Sequence, residues 1–407
     1  MLTLKLAWRN IWRNRRRTII TTLSIIVAVF LSAVTRSTQE GQYENMIKNT
    51  VGTFTGYIQI HHQGYWEEPT LENSMGTVDS LLAQLSGHRG VTELVPRIES
   101  YALAAGRDLS RPAMILGIDI EAEKALSNPR DRLTSGRYFN SNNEQAAILG
   151  TELMDRMNIE LGDSLVLVGQ GFHGMTASGL YPVKGTVSYI NPELNSNLVL
   201  LPLQTAQQFL LTGDRLTTIA LMIENPALID RTVEELRAVL PEETYEVMGW
   251  REMMPELVQA IQADRGSGII ILLVLYMVVG FGILGTVLMM IAEREFELGV
   301  MISVGTSRWM IAKILSLEVL LMTLLGTALG ILFSMPVIWY FKLNPIRFTG
   351  DMSTVAQQYG MDPVLQFSAD SAIFTGQAVT VFIITLLFSA IPLWRAARLN
   401  PVKAMRG

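Results

Sequence analysis

The sequence predicts an α-helical membrane protein with four transmembrane helices and a large α+β extracytoplasmic domain of two lobes between helices one and two. Three observations predict it. Residues 18–35, 269–291, 319–341 and 371–394 carry no charged side chain. Residues 36–268 are mixed and polar, with strand-like and helix-like stretches. Short basic segments flank the first and last apolar runs. A helix needs about 20 apolar residues to cross a hydrocarbon core, and the four runs match that need.

Residues 1–17 hold Lys5, Arg9, Arg13, Arg15, Arg16 and Arg17 and no acid. Leu4, Trp8, Ile11 and Trp12 recur at helical spacing, which predicts an amphipathic lead-in lying in the interface. A signal-peptide n-region needs no such face. Span one covers 18–35.

The domain 36–268 follows. Residues 56–61 alternate like a strand, Val78 to Leu85 has helical spacing, and 91–105 and 113–118 read as strands. The same order returns as a strand at 217–223, a helix at 226–240 with Leu228, Val233, Leu236 and Leu240 inward, and a strand at 245–248. These units bracket the insertion and are assigned to a membrane-proximal lobe, about 40–111 and 213–265. A distal lobe covers about 112–212, with helices at 151–157 and 203–211. Residues 250–268 lead into span two, 269–291, with no helix breaker after Pro255. A connection follows at 292–309, then span three at 310–341, an outer loop at 342–370, span four at 371–394 and a tail at 395–407.

Charge sets the orientation. The tail holds Arg395, Arg398, Lys403 and Arg406 without an acid. Basic flanks stay in the cytoplasm, so both termini are placed inside. The insertion holds 17 Lys and Arg against 30 Asp and Glu, net −13, and is placed outside. Basic residues beside spans do not suit a nucleic-acid partner. The chain has no cysteine, which excludes a disulfide framework and Cys-based metal sites.

Each short motif also has a plainer reading. Gly169, Gly171 and Gly174 match G-x-G-x-x-G, but Gly, Ser and Pro continue to Pro182 and no helix follows. A glycine loop at 169–182 between strands 164–168 and 183–190 fits better than a dinucleotide site. It would expose Phe172, Met175 and Tyr181, a grip for a partner. His61 and His62 with Glu67 and Glu68 match no compact ligand set; no metal site is assigned. No G-x-x-x-x-G-K-[ST] occurs, so ATP hydrolysis by a P-loop would need another polypeptide. Glu318, with Lys313 before it, is a charge at the edge of span three and reads as interfacial or functional. Gly326 and Gly330 fit small-xxx-small packing. Between spans two and three, Glu293, Glu295 and Glu297 fall within five residues, which suggests an ordered turn that docks a protein.

Three segments carry a family resemblance. Met290 to Gly299, with Ser303-Val304-Gly305, resembles the cytoplasmic coupling segment of FtsX/MacB-like ABC permeases. The basic, Trp-bearing approach to span one and the closing stretch Pro392 to Arg406 are similar to that family's. Ile115 to Asp119, Ala147 to Leu153, Gly162-Asp163 and Leu257 to Arg265 resemble the lipoprotein-releasing (Lol-type) branch.

The resemblance implies a non-catalytic permease half, working as a homo- or heterodimer with two copies of a separate ATPase that bind ATP and Mg. ATP closure would move the outer domains by mechanotransmission. Glu293, Arg294, Glu295, Glu297, Gly299, Ser303 and Gly305 would couple to the ATPase. The cargo would be lipoproteins passed to a periplasmic carrier. Phe30 and Val34 on span one, with Ile269, Leu273 and Met277 on span two, would face its acyl chains. In the Lol branch an outer loop grips the carrier. The loop at 169–182 lies in a similar place, although its Gly-rich sequence departs from the Pro-rich hook of that branch. Export of the macrolide-exporter kind, or regulation of a cell-envelope hydrolase as by FtsX, are the other readings.

Overall fold

Among the described residues, four helices are long and apolar enough to cross a membrane: Thr18–Thr55, Pro255–Glu293, Arg308–Leu343 and Ser371–Trp394. They come from a computed structural model that describes residues 2–13, 15–76, 78–107, 109–353 and 362–397. In chain order the elements are α1 (Leu2–Arg13), α2 (Arg15–Thr50), β1 (Ile58–His62), α3 (Asp79–Ser86), β2 (Val91–Ala105), β3 (Ser110–Ile118), β4 (Leu133–Gly136), β5 (Ala147–Gly150), α4 (Thr151–Met157) and β6 (Ser164–Gln170). Then come β7 (Thr176–Val187), α5 (Pro192–Asn197), β8 (Leu198–Pro202), α6 (Leu203–Leu210), β9 (Thr218–Ile223), α7 (Ile229–Val239), β10 (Tyr245–Gly249) and α8 (Trp250–Met253). The chain continues with α9 (Pro255–Glu293), α10 (Glu295–Ser303), α11 (Arg308–Leu343), β11 (Ile346–Arg347), β12 (Val364–Leu365) and α12 (Ser371–Ala397). The closing stretch from Arg398 on, and part of the loop at 342–370, lie outside the described residues.

The chain divides into two compact units. One is helical and is built from residues up to Glu44, Ala260–Arg347 and Val364 onward. The small-xxx-small expectation is met here. A Cβ on Gly326 would stand 2.8 Å from Ile25 Cβ, and one on Gly330 2.7 Å from Val29 Cβ. The two glycines therefore let α11 lie directly against α2. Ile25, Ala28 and Val29 join Ile283, Val287, Leu315 and Val319 in one core. The apolar stretch of α11 is 50% buried but that of α9 only 22%, so most of α9 faces away from its own unit. Leu4, Trp8 and Trp12 form an exposed stripe on α1, while Ala7 and Ile11 are buried. Ile11 thus leaves the predicted face because it packs into the helical core.

The other unit, Asn45–Gln259 with Phe348–Pro363, holds a ten-stranded sheet of order β10-β1-β9-β2-β3-β8-β5-β7-β4, with β6 pairing β2 and β7. β3–β8 and β5–β7 are parallel; the other pairs are antiparallel. The strands drawn from the flanks of the insertion, β10, β1, β9 and β2, form one half of this sheet, and those from its middle form the other. Each half has its own core. Leu81, Leu85, Val233 and Leu236 cover the first half; Leu153, Phe209, Leu165 and Leu201 pack in the second. Leu228 is exposed, because α7 begins after it and Ile229 takes the buried position. Gly56, at φ +84°, turns the chain out of the helix that ends at Thr55 and brings it within contact of Ala220.

His61 sits in the core of the sheet unit. His61 is buried, with ring nitrogens 3.0 Å from the Thr217 carbonyl oxygen and 2.9 Å from the Gln59 side-chain amide, and it stacks on Tyr65. Burial lowers its pKa to about 4, opposed by the Thr217 contact. The folded state therefore holds His61 neutral where the unfolded chain, at about 6.5, binds a proton. Stability is complete above pH 6.5 and falls as pH drops towards 4, by about 3 kcal/mol. Thermal unfolding of the chain followed from pH 7.5 to 4 should show this slope, and His61→Gln should flatten it. An unchanged slope in the variant would refute the assignment.

Candidate functional site

The connection between α9 and α11 folds into a short helix with a defined inner and outer side. Arg294 breaks the helical path, and α10 starts behind it. Glu295 and Glu297 fall in the first turn of α10, where carboxylates complement the helix dipole. Gly305, at φ +104°, ends it, with Thr306 N–H donating back to the Met301 carbonyl at 2.9 Å. Ser307 then caps α11 by accepting from the Met310 amide.

Arg294 was expected on the docking surface, and the structure turns it inward. It is 4% exposed, and Nη1 donates to both Glu318 carboxylate oxygens at 3.1 and 3.2 Å. Glu318 is itself buried and accepts from Asn10 Nδ2 at 2.6 Å. A charge at this depth is stable only when paired, which is why Arg294 abandons the surface. Gly299 is also buried, so it lets α10 pack and offers no side chain to a partner. Ser303 Oγ donates to the Gly299 carbonyl within α10.

Glu293, Glu295 and Glu297 remain outside. Between and beyond them the structure adds what the sequence reading missed. Phe296, Val300 and Val304 are exposed at i, i+4 and i+8, a single stripe, and Trp309 is 83% exposed nearby. The spacing alone was enough to find this stripe. Two residues of α1 were missed as well. Asn10 reaches Glu318, and Arg13 Nη2 donates to Glu297 Oε2 at 2.5 Å. Residues of α1, α10 and α11 enclose a cavity of about 600 Å³, with Arg13, Asn10, Arg294 and Glu318 in its lining. The N-terminal helix thus forms one wall of the cavity beside this connection.

A second feature lies towards the other end of α9. Ile269, Leu273 and Met277 line a groove of about 520 Å³ with Leu272, Ile384 and Phe388, open to the outside of the helical unit. Its polar side chains are Arg36, Tyr276, Gln377 and Thr380. The Tyr276 hydroxyl is hydrogen-bonded to the Gln377 side chain. Phe30 and Val34, expected with these residues, do not line it. Val34 packs on the cluster of Ala33, Ile338, Phe367 and Phe374 on another face of α2, and Phe30 is half-buried.

The glycine loop is shorter than expected. β6 and β7 pair from Ser164↔Pro182 to Gln170↔Thr176, leaving only 171–175 as the turn. Tyr181 therefore sits on a strand, 5% exposed, edge-on to Phe209 in the core. Phe172 is half-buried beneath the Arg215 guanidinium, 4.7 Å from its ring. Of the three proposed grip residues only Met175 is exposed.

Comparison with known proteins fits this division. Residues 18–239 match the profile of the MacB-like periplasmic core domain, and residues 269–401 match the FtsX-like permease C-terminal. The lipoprotein-releasing system transmembrane protein LolC of Xylella fastidiosa is 23% identical over 334 residues, 78% of each chain. The uncharacterized ABC transporter permease YknZ of Bacillus subtilis is 21% identical, over 99% of this chain and 98% of its own. The pyoverdine export ATP-binding/permease protein PvdT of Pseudomonas fluorescens is 22% identical over 98% of this chain, which spans 58% of it. The core-domain match alone covers more than half of the chain. With four membrane-length helices, the sheet domain and the short helix after α9, the chain belongs to the FtsX/MacB-like family of ABC transporter permeases, multi-pass membrane proteins.

Proposed function

We propose that this chain is the non-catalytic membrane subunit of an ATP-driven complex that extracts lipoproteins from the inner membrane and passes them to a periplasmic carrier by mechanotransmission. The observation that carries the cargo reading is the groove of Ile269, Leu273 and Met277. Its walls are mainly apolar, with Arg36, Tyr276, Gln377 and Thr380 as the polar side chains among them. That pattern suits an acyl chain, each buried CH₂ of which contributes about 0.8 kcal/mol, attached to a polar glyceryl-peptide head. The similarity to LolC over 78% of the chain supports the same cargo.

In this reading four helices cross the membrane, α1 and α10 face the cytoplasm, and the sheet unit is periplasmic, its two halves acting as proximal and distal lobes. The acid-flanked stripe Phe296–Val300–Val304 enters a cleft of a separate ATPase, present in two copies, which binds ATP and Mg. A helix with an apolar stripe is a common way to fill such a groove. A second permease of the family, identical or not, completes the dimer. Met175 on the β6–β7 turn remains a contact for the carrier.

Alignment with PvdT over 98% of this chain supports an exporter-like reading as the second choice. One experiment separates the two. A photo-crosslinking residue at Leu273 should trap lipoproteins in cells, and one at Val34 should not. Crosslinks from position 273 to phospholipid alone, with lipoprotein sorting unchanged on depletion of the chain, would favour export.

A further inference from the structure

A third cavity is separate from the cargo groove. It holds about 850 Å³ between the start of α2 and the last turns of α9. Arg13, Arg15 and Arg16 stand at its mouth, with Glu293 as the acid beside them. Arg13 is tied to Glu297. Arg15 and Arg16 are exposed and make no ion pair among the described residues. The walls are Ile20, Phe281 and Met289, and Gly282 and Gly285 form the floor. A Cβ at either glycine would meet nothing within 4 Å, so the floor is open space and not a packed helix contact.

This is a cationic mouth on an apolar trough. From Phe281 to Glu293 the trough is about 18 Å long at 1.5 Å per residue, close to the length of one acyl chain. We propose that it binds one anionic phospholipid, its phosphate between Arg15 and Arg16 and one acyl chain along Gly282 and Gly285. The charge chooses the occupant: a neutral, apolar helix of a second permease would leave both guanidinium groups unpaired at the mouth, whereas an anionic headgroup pairs with them. The lipid would then lie against Glu293 and Arg13, next to α10, and its loss would loosen that wall. The inference requires that α2 and α9 cross a bilayer; it does not depend on the cargo.

Native mass spectrometry of the full chain in detergent, titrated with dioleoyl phosphatidylglycerol or dioleoyl phosphatidylcholine, tests it. One phosphatidylglycerol per chain should be retained in preference to phosphatidylcholine. Arg15→Gln with Arg16→Gln should reduce that preference about thirtyfold. Gly285→Leu, which keeps every charge and fills open space, should remove retention without changing the melting temperature. If the double arginine variant inserts poorly, the glycine variant still decides. Equal retention of the two lipids by the unaltered chain, or phosphatidylglycerol retention untouched by Gly285→Leu, overturns the proposal. So does a Gly285→Cys disulfide joining two copies with no lipid bound, which would show a second permease in the trough.

Discussion

Reversing Glu293 and Glu297 to lysine should abolish stimulation of the partner ATPase while the chain still inserts and folds. Both side chains are exposed beside the Phe296–Val300–Val304 stripe. Glu297 loses its ion pair with Arg13, which is more than half exposed on both sides; such pairs contribute at most about 1 kcal/mol. The fold therefore survives. At a docking interface the same reversal places like charges face to face, an effect of several kcal/mol, and the cargo-stimulated ATPase rate should drop at least about a hundredfold. The check is ATP turnover of the co-purified complex in nanodiscs. A double variant with full stimulated turnover would remove α10 from the coupling role. Phe296→Ala offers an independent probe, since an exposed aromatic anchor is the kind of residue on which interfaces depend.

The second large effect concerns Arg294 and Glu318. Removing one partner leaves the other as an uncompensated buried charge, which typically destabilises by about 3–5 kcal/mol. Arg294→Met and Glu318→Met should each lower the unfolding temperature of the solubilised chain strongly. The double variant should recover most of the loss, because two apolar side chains replace a buried pair at little net change. A double-mutant cycle measures the coupling directly. Single variants within about 0.5 kcal/mol of the parent would mean that the pair is hydrated, and that α10 is held by its apolar contacts alone. Asn10→Ala should give a smaller loss, since Glu318 keeps its bond to Arg294.

These two experiments address opposite faces of one short segment, and the sequence did not distinguish them. Glu293, Arg294, Glu295 and Glu297 read as one charged turn. Tertiary structure separated them. Arg294 turns inward because Glu318 is buried on α11 and Asn10 approaches from α1, 284 residues earlier in the chain. A partner that distant leaves no periodic signal near Arg294. Tyr181 is the same kind of case. Glycines around it suggested a loop, but pairing with Leu165 makes it a strand residue, and its ring fills the core beside Phe209. Val34 and Leu273 were expected to face the same acyl chains. Rotation about the helix axis, set by packing of α2 on Ile338 and Phe374, points Val34 elsewhere.

What the sequence by itself determined was local or periodic. Four charge-free runs became the four membrane-length helices, since apolar length is a sum over neighbours. The strand read at 91–105 became β2 over the same residues, and the helix at 151–157 became α4. Gly326 and Gly330 marked the close helix contact, since only a missing Cβ permits it. What tertiary structure alone decided was direction and partnership: which side of α10 faces out, which residues of α9 line a groove, and that Arg294 pairs with Glu318. Those depend on contacts between residues far apart in the chain, and burial, not local pattern, sets the free energy that selects them.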